Sequence, residues 1–295
     1  QARVGQGHQR RQDQRVMSPG AATARQQPEA PLVDTHVHVF RRNMPLVPDP
    51  RHSPDYEFTA EQLEATLDEH GVKLCVIAAA SPWGDCNDYV LEALRGRPLW
   101  RGTAIVDPET VDRDALERMA SGGMVGIRLP FIGMTELPDM DTWAWRKLFY
   151  RMAEMNWHAH LHLDGPRIPQ VLPLLERSGI KVVIDHIGRP DPVLRERCAG
   201  FEAVTRSVEK GRTWVKLSGG YRLGEHSVEL ARELCRRVGY ERMLWASDCP
   251  FVGQESMRYR STIDWLETAV PEPLNRRRME LNALDLYFRH GPRPG

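Results

Sequence analysis

From Pro31 onward, short runs of apolar and β-branched residues alternate with stretches whose apolar positions recur every three or four residues. The runs read as buried strands and the stretches as amphipathic helices. Eight strand candidates follow one another: Leu32–Val39, Lys73–Ala79, Trp100–Val106, Met124–Arg128, His158–Leu163, Lys181–Asp185, Thr213–Leu217 and Met243–Ala246. Between them, Thr59-Ala60-Glu61-Gln62 reads as a capping box that opens the first helix, and Gly71 ends it. Helical periodicity continues over Asp112–Ala120, Trp143–Met155, Ile168–Arg177, Pro192–Glu209, Ser227–Val238 and Met257–Thr268, with a further helix over Pro271–Tyr287. This order predicts an α/β fold, a closed (β/α)8 TIM barrel forming one domain over residues 31–290. A doubly wound sheet would carry a Gly-rich phosphate turn after an early strand, and none follows any early strand here.

The length of 295 residues suits such a barrel. Residues 1–30 are rich in Gln, Arg and Gly, lack an apolar periodic face, and read as a disordered extension, with Met17 as an alternative start. Lys plus Arg balance Asp plus Glu at 40 each, so no net field draws nucleic acid or an anionic membrane. No apolar run approaches the ~20 residues of a membrane span. Five cysteines without a C-x-x-C pair argue against a disulfide framework or structural zinc and for a reducing, cytoplasmic setting. Cys249 follows Asp248 but has no evident activating base, so a buried thiol is the simpler reading than a nucleophile. The expected partner is a small molecule, and the sequence leaves monomer and homo-oligomer open, with Trp83 and Trp143 as interface anchors or plain loop packing.

Barrel chemistry sits at the C-terminal ends of the strands. There the chain places His36 and His38, Arg128, His162, Asp185-His186, Ser218 with Arg222, and Asp248. His36 and His38 lie two apart in Leu32-Val33-Asp34-Thr35-His36-Val37-His38-Val39, which puts both on one strand face as half of a metal site or a clamp for a carbonyl. Asp248 is either a turn cap or a carboxylate that takes a proton from water or binds a metal. His186 is either structural or polarises a carbonyl. Of the three histidines in His158-Ala159-His160-Leu161-His162, only His162 is near enough to the strand end to reach the mouth. His158 and His160 read as buried, hydrogen-bonded residues. Arg128 and Arg222 suit capture of a substrate carboxylate or of developing oxyanion charge. Ser81 and Tyr56 are hydrogen-bond donors in the loops after strands two and one.

Taken together, the H-x-H strand, Gly122-Gly123-Met124-Val125-Gly126-Ile127-Arg128, Val182 to Asp191 and Trp245-Ala246-Ser247-Asp248-Cys249-Pro250 resemble the amidohydrolase superfamily. The resemblance covers about Pro31 to His290. It is strongest to the lactonase branch, which contains the 2-pyrone-4,6-dicarboxylate hydrolases and the sugar-lactone and sulfomuconolactone hydrolases. It implies a barrel that opens a lactone ring by water attack. Asp248 would be the general base, His36, His38 and His186 would polarise the carbonyl, Arg128 and Arg222 would hold carboxylates, and Ser81 and Tyr56 would assist.

The pyrone hydrolases work without a metal, whereas related branches bind one divalent ion, usually zinc. The resemblance therefore leaves both open for His36, His38 and Asp248, with His162 or His186 as a further ligand. Two positions depart from the pyrone pattern. Met134 stands where a second arginine is found, and His162 stands where a tyrosine is found. No strand-four lysine suggests a binuclear bridge. The expectation is hydrolysis of a small carboxylated lactone; the alternatives are a metal-dependent decarboxylase and a non-catalytic metabolite-binding barrel.

Overall fold

The computed structural model describes Ala2 and residues 31–289. The expected extension and the start at Met17 therefore lie, Ala2 aside, outside the described residues. Eight strands form one sheet in sequential order: β1 (Val33–Val37), β2 (Leu74–Ile77), β3 (Trp100–Ala104), β4 (Met124–Pro130), β5 (His158–His162), β6 (Lys181–Ile184), β7 (Thr213–Leu217) and β8 (Met243–Trp245). Each pairs in parallel with the next. The residues just past β8 close the ring. Val37 bridges Cys249 in parallel, the His38 N–H donates to the Cys249 carbonyl at 2.8 Å, and the Asp248 N–H donates to the His36 carbonyl at 2.9 Å. The seam of the barrel is thus stitched where the H-x-H pair meets Asp248.

The connecting helices are α1 (Ala60–Glu69), α2 (Asp88–Leu94), α3 (Arg113–Ser121), α4 (Trp143–Glu154), α5 (Ile168–Arg177), α6 (Ala199–Glu209), α7 (Gly220–Leu223), α8 (Ser227–Val238), α9 (Tyr259–Ala269) and α10 (Pro273–Ala283). Thr59 closes the predicted capping box reciprocally with Gln62. Asp112 caps α3 by accepting the Ala115 N–H at 2.7 Å. The helix expected from Pro192 starts only at Ala199, because Asp191 Oδ1 takes the N–H groups of Val193 and Leu194 and winds a separate turn. Helical apolar stripes, among them Leu63, Leu148, Val171, Phe201, Leu234 and Ile263, pack onto the outer faces of the strands.

The segment after α10 plugs the opposite end of the barrel. After α10 a wider π-helical turn, Leu284–Phe288, drives Tyr287 inward against Val33, Val125, Val183 and Leu244. Gly126 on β4 makes room for the column above it: a Cβ there would lie 2.5 Å from the His158 carbonyl oxygen and 2.6 Å from its Nε2. Between plug and mouth the lumen is polar where branched aliphatic layers are usual. His158, His160, His36, Asp185 and Lys216 are all fully buried there.

Candidate active site

Asp248 and His186 sit on turns that leave their strands abruptly, and both backbones are left-handed, with φ of 70° and 52°. Such conformations cost about 1–3 kcal/mol for non-glycine residues and persist where surrounding structure enforces them. For Asp248 the enforcing contacts run through Asp34, which is buried at the base of the seam. Its carboxylate accepts the N–H groups of Ser247 (3.0 Å) and His36 (3.2 Å) and the Tyr259 hydroxyl (2.7 Å), tying the start of the H-x-H strand to the turn after β8.

The two carboxylate oxygens of Asp248 have different surroundings. Oδ2 accepts the Tyr221 hydroxyl at 2.5 Å and the Arg222 Nε–H at 2.7 Å. Oδ1 faces three imidazoles, 3.6 Å from His36 Nε2, 3.5 Å from His38 Nε2 and 3.8 Å from His186 Nε2. Burial alone would raise the pKa of Asp248, but the groups it faces, His186 and the Arg222 guanidinium among them, hold it well below the ordinary carboxylate value. Asp248 is therefore ionised. Burial pushes His186 down to about 4, so its ring is neutral. Its Nδ1 lies 2.9 Å from Ser218 Oγ.

His38, Ser81, Arg128, His162, His186, Arg222 and Asp248 line one pocket at the mouth of the barrel. His36 lies just beneath it, with no exposed surface. Tyr56 is not among the lining residues; its ring packs on Phe40 and its hydroxyl donates to Glu255 at 3.4 Å. Cys249 is buried and its thiol is pushed well up by burial, the state of an inert cysteine. His158 and His160 are buried as expected, although His158 Nε2 has no hydrogen-bond partner among the described residues.

Sequence reading missed several contributors. Arg51, His52 and Trp83 also line the pocket; Arg51 and His52 sit in an irregular loop and Trp83 in the single 3-10 turn Ser81–Trp83, where no periodicity marks a direction. Tyr221 was overlooked because α7, a single turn, is too short to show a pattern. Lys216 did carry a signal: it is the one charged residue in Thr213-Trp214-Val215-Lys216-Leu217, and strand alternation sends it opposite to Val215 and Leu217. Its Nζ lies 3.0 Å from Asp185 Oδ1, 2.9 Å from His36 Nδ1 and 3.1 Å from His160 Nδ1. Burial lowers the Lys216 pKa to about 8, against the pull of Asp185. Asp185 itself, raised by burial, is held well below its usual range chiefly by the Lys216 ammonium.

The arginines are partly committed to the protein. Arg128 donates to Asp185 (3.3 Å), to the Ala79 carbonyl (2.9 Å) and to His162 Nδ1 (3.2 Å). Because a guanidinium only donates, His162 Nδ1 accepts, which leaves its proton on Nε2. Arg222 donates to Asp248 and to the Val252 carbonyl (3.2 Å). Arg51 has no hydrogen bond or ion pair among the described residues and stands at the rim.

Among the described residues two donor groups have the spacing of a metal site: His36, His38 and Asp248, and His36, Asp185 and His186; His162 is in neither. His36 Nε2 and His38 Nε2 are 3.2 Å apart, and the imidazole-to-Asp248 distances above are similar. Tetrahedral zinc with ligand bonds near 2.0–2.1 Å spaces its ligands by roughly 3.3 Å, so the spacing suits an ion. The hydrogen inventory does not. A metal would need the lone pair of His36 Nε2, hence a proton on Nδ1, and there the Lys216 ammonium already points a donor.

A family model described as Amidohydrolase matches residues 33–289. Among curated proteins, the 2-pyrone-4,6-dicarboxylate hydrolase of Comamonas testosteroni is 27% identical over 242 residues, covering 75% of this chain and 77% of that protein. Among solved structures, one from Acinetobacter baumannii, named as a probable 2-pyrone-4,6-dicarboxylic acid hydrolase with citric acid bound, superposes with a TM-score of 0.82 at 28% identity. It covers 87% of this chain and 99% of that one. A Pseudomonas putida structure named for the same activity gives 0.79 at 32% identity, covering 86% of this chain and 96% of that one. The strand order, the H-x-H pair at the seam and these matches have one conclusion: the chain belongs to the amidohydrolase family.

Proposed function

We propose that this protein hydrolyses a small carboxylated lactone, with Asp248 as the general base. The observation that carries the reading is the division of labour on that carboxylate. One oxygen is fixed by Tyr221 and Arg222, and the other faces His36, His38 and His186 in a pocket lined by three arginines. The names of the related proteins support the lactone as substrate class.

In the proposed reaction, Asp248 Oδ1 takes a proton from water while the water oxygen attacks the lactone carbonyl carbon. The carbonyl oxygen becomes an oxyanion that the His186 Nε2–H stabilises, with the Ser218 hydroxyl donating to Nδ1 to hold that tautomer. The ring C–O bond then breaks, and the proton on Asp248 passes to the departing ring oxygen. Ser81 and His162 line the pocket as hydrogen-bond donors to the substrate, and the arginines draw its carboxylate.

The test is turnover of 2-pyrone-4,6-dicarboxylate and of δ-valerolactone, followed as proton release. Asp248→Asn should lower turnover about a thousandfold with the fold intact. Release of carbon dioxide in place of a proton would identify a decarboxylase, and binding without product would identify a carrier.

A further inference from the structure

The barrel lumen holds a hydrogen-bonded column in which each proton has one consistent place. At one end the His38 Nδ1–H must donate, because its partner at 2.7 Å is the Ala78 carbonyl. His38 Nε2 is then an acceptor, and His36 Nε2, at 3.2 Å, is the donor that satisfies it. His36 Nδ1 is consequently bare. Lys216 Nζ meets it at 2.9 Å and places its two other hydrogens on Asp185 Oδ1 and His160 Nδ1. His160 completes the column by donating its Nε2–H to the Tyr287 hydroxyl at 3.2 Å. Three ammonium hydrogens meet three acceptors within 3.1 Å, and none is left over.

The opposite arrangement leaves two conflicts. With the proton on His36 Nδ1 donating to Asp185 at 3.2 Å, that hydrogen faces the Lys216 donor. At the other ring nitrogen, the lone pairs of His36 Nε2, His38 Nε2 and Asp248 Oδ1 then face one another with no donor between them. Only a cation could satisfy that triad, and only after Lys216 had given way.

We infer that Lys216 is a positioning residue that fixes the tautomer of His36, holding a proton on Nε2 inside the site and thereby denying a divalent ion that ligand. A lysine on the far side of an imidazole thus selects between a proton-handling cluster and a metal site built from the same residues. The assignment holds whatever the substrate is, so it stands or falls separately from the lactone reading.

The experiment uses the full chain labelled with 15N-histidine. Two-bond 1H–15N correlation spectra distinguish a protonated from a bare ring nitrogen, and the His36 signals are identified by their loss in His36→Gln. The expected pattern for His36 is a protonated Nε2 and a bare Nδ1. In Lys216→Met, whose side chain is near in length and cannot donate, the proton should move to Nδ1, and zinc affinity, measured by competition with a chromophoric chelator, should tighten at least tenfold. Because an unfolded chain exposes histidines and cysteines that also take zinc, the gain counts only in a Lys216→Met protein whose melting curve shows it folded. A protonated Nδ1 on His36 in the wild type overturns the assignment, and that spectrum decides even if the variant fails to fold. Equal zinc affinity in the wild type and a folded Lys216→Met overturns the selection against metal.

Discussion

At the scale of single residues, the site is a set of ionisable groups whose environments fix their protonation before any substrate arrives. Burial holds His186 neutral down to about pH 4, and the imidazoles and Arg222 keep Asp248 ionised below its ordinary range. The sign follows directly. Falling pH adds a proton to His186 only near 4, so kcat/KM for a lactone should be flat from about pH 5 to about pH 7 and fall below that. An acid limb near 6.5, the ordinary histidine value, would contradict this picture. Tyr221 and Arg222 share Asp248 Oδ2, so Tyr221→Phe should leave the carboxylate ionised but less firmly oriented. The expected result is a loss of about tenfold in kcat with KM little changed, and a KM effect alone would assign Tyr221 to binding.

At the scale of elements, the strands carry out the positioning and the helices the stabilising. Much of this was legible. The β-branched runs and the i, i+3, i+4 apolar stripes located the strands and most helices, because burial on one face imposes those periods on any foldable sequence. The Thr59–Gln62 box was readable residue by residue, and Thr59→Ala should cost about 1 kcal/mol in denaturant-measured stability. What escaped was set by a local cap and by tertiary contacts. Asp191 cuts short the helix expected from Pro192, and the single-turn α7 brings Tyr221 and Arg222 to Asp248 without any periodicity. On α8, Arg236 and Arg237 hold Glu233 down to about 2 through hydrogen bonds. A depressed carboxylate adds stability that is present above its ordinary pKa and lost as pH falls through about 2. The wild type should therefore lose more thermal stability than Glu233→Gln on acidification from pH 5 to pH 2. Solvent screening keeps the effect to a few tenths of a kcal/mol.

At the scale of the whole molecule, the barrel is closed by the chemistry it supports. The seam between β1 and β8 consists of backbone bonds made by His36, His38, Asp248 and Cys249, so closing the ring and assembling the candidate site are one event. The positions of His36, His38, His186 and Asp248 at strand ends could be read from sequence because a parallel barrel has one chemical end. The polar lumen could not. Lys216 and Asp185 are far apart in sequence and meet His36 only once the ring has closed, and only then is a histidine tautomer fixed from below. Among the described residues no helix is long and apolar enough to cross a membrane. The claim on which the rest depends is that Asp248 activates water against a lactone carbonyl. The most direct measurement is ring opening of 2-pyrone-4,6-dicarboxylate and δ-valerolactone at pH 7 by the wild type and Asp248→Asn, with melting curves confirming that both are folded. The account predicts hydrolysis of at least the carboxylated ring by the wild type and a loss of about a thousandfold in the variant. A folded Asp248→Asn that turns over within tenfold of the wild type, or a wild type inert toward both rings, would contradict it.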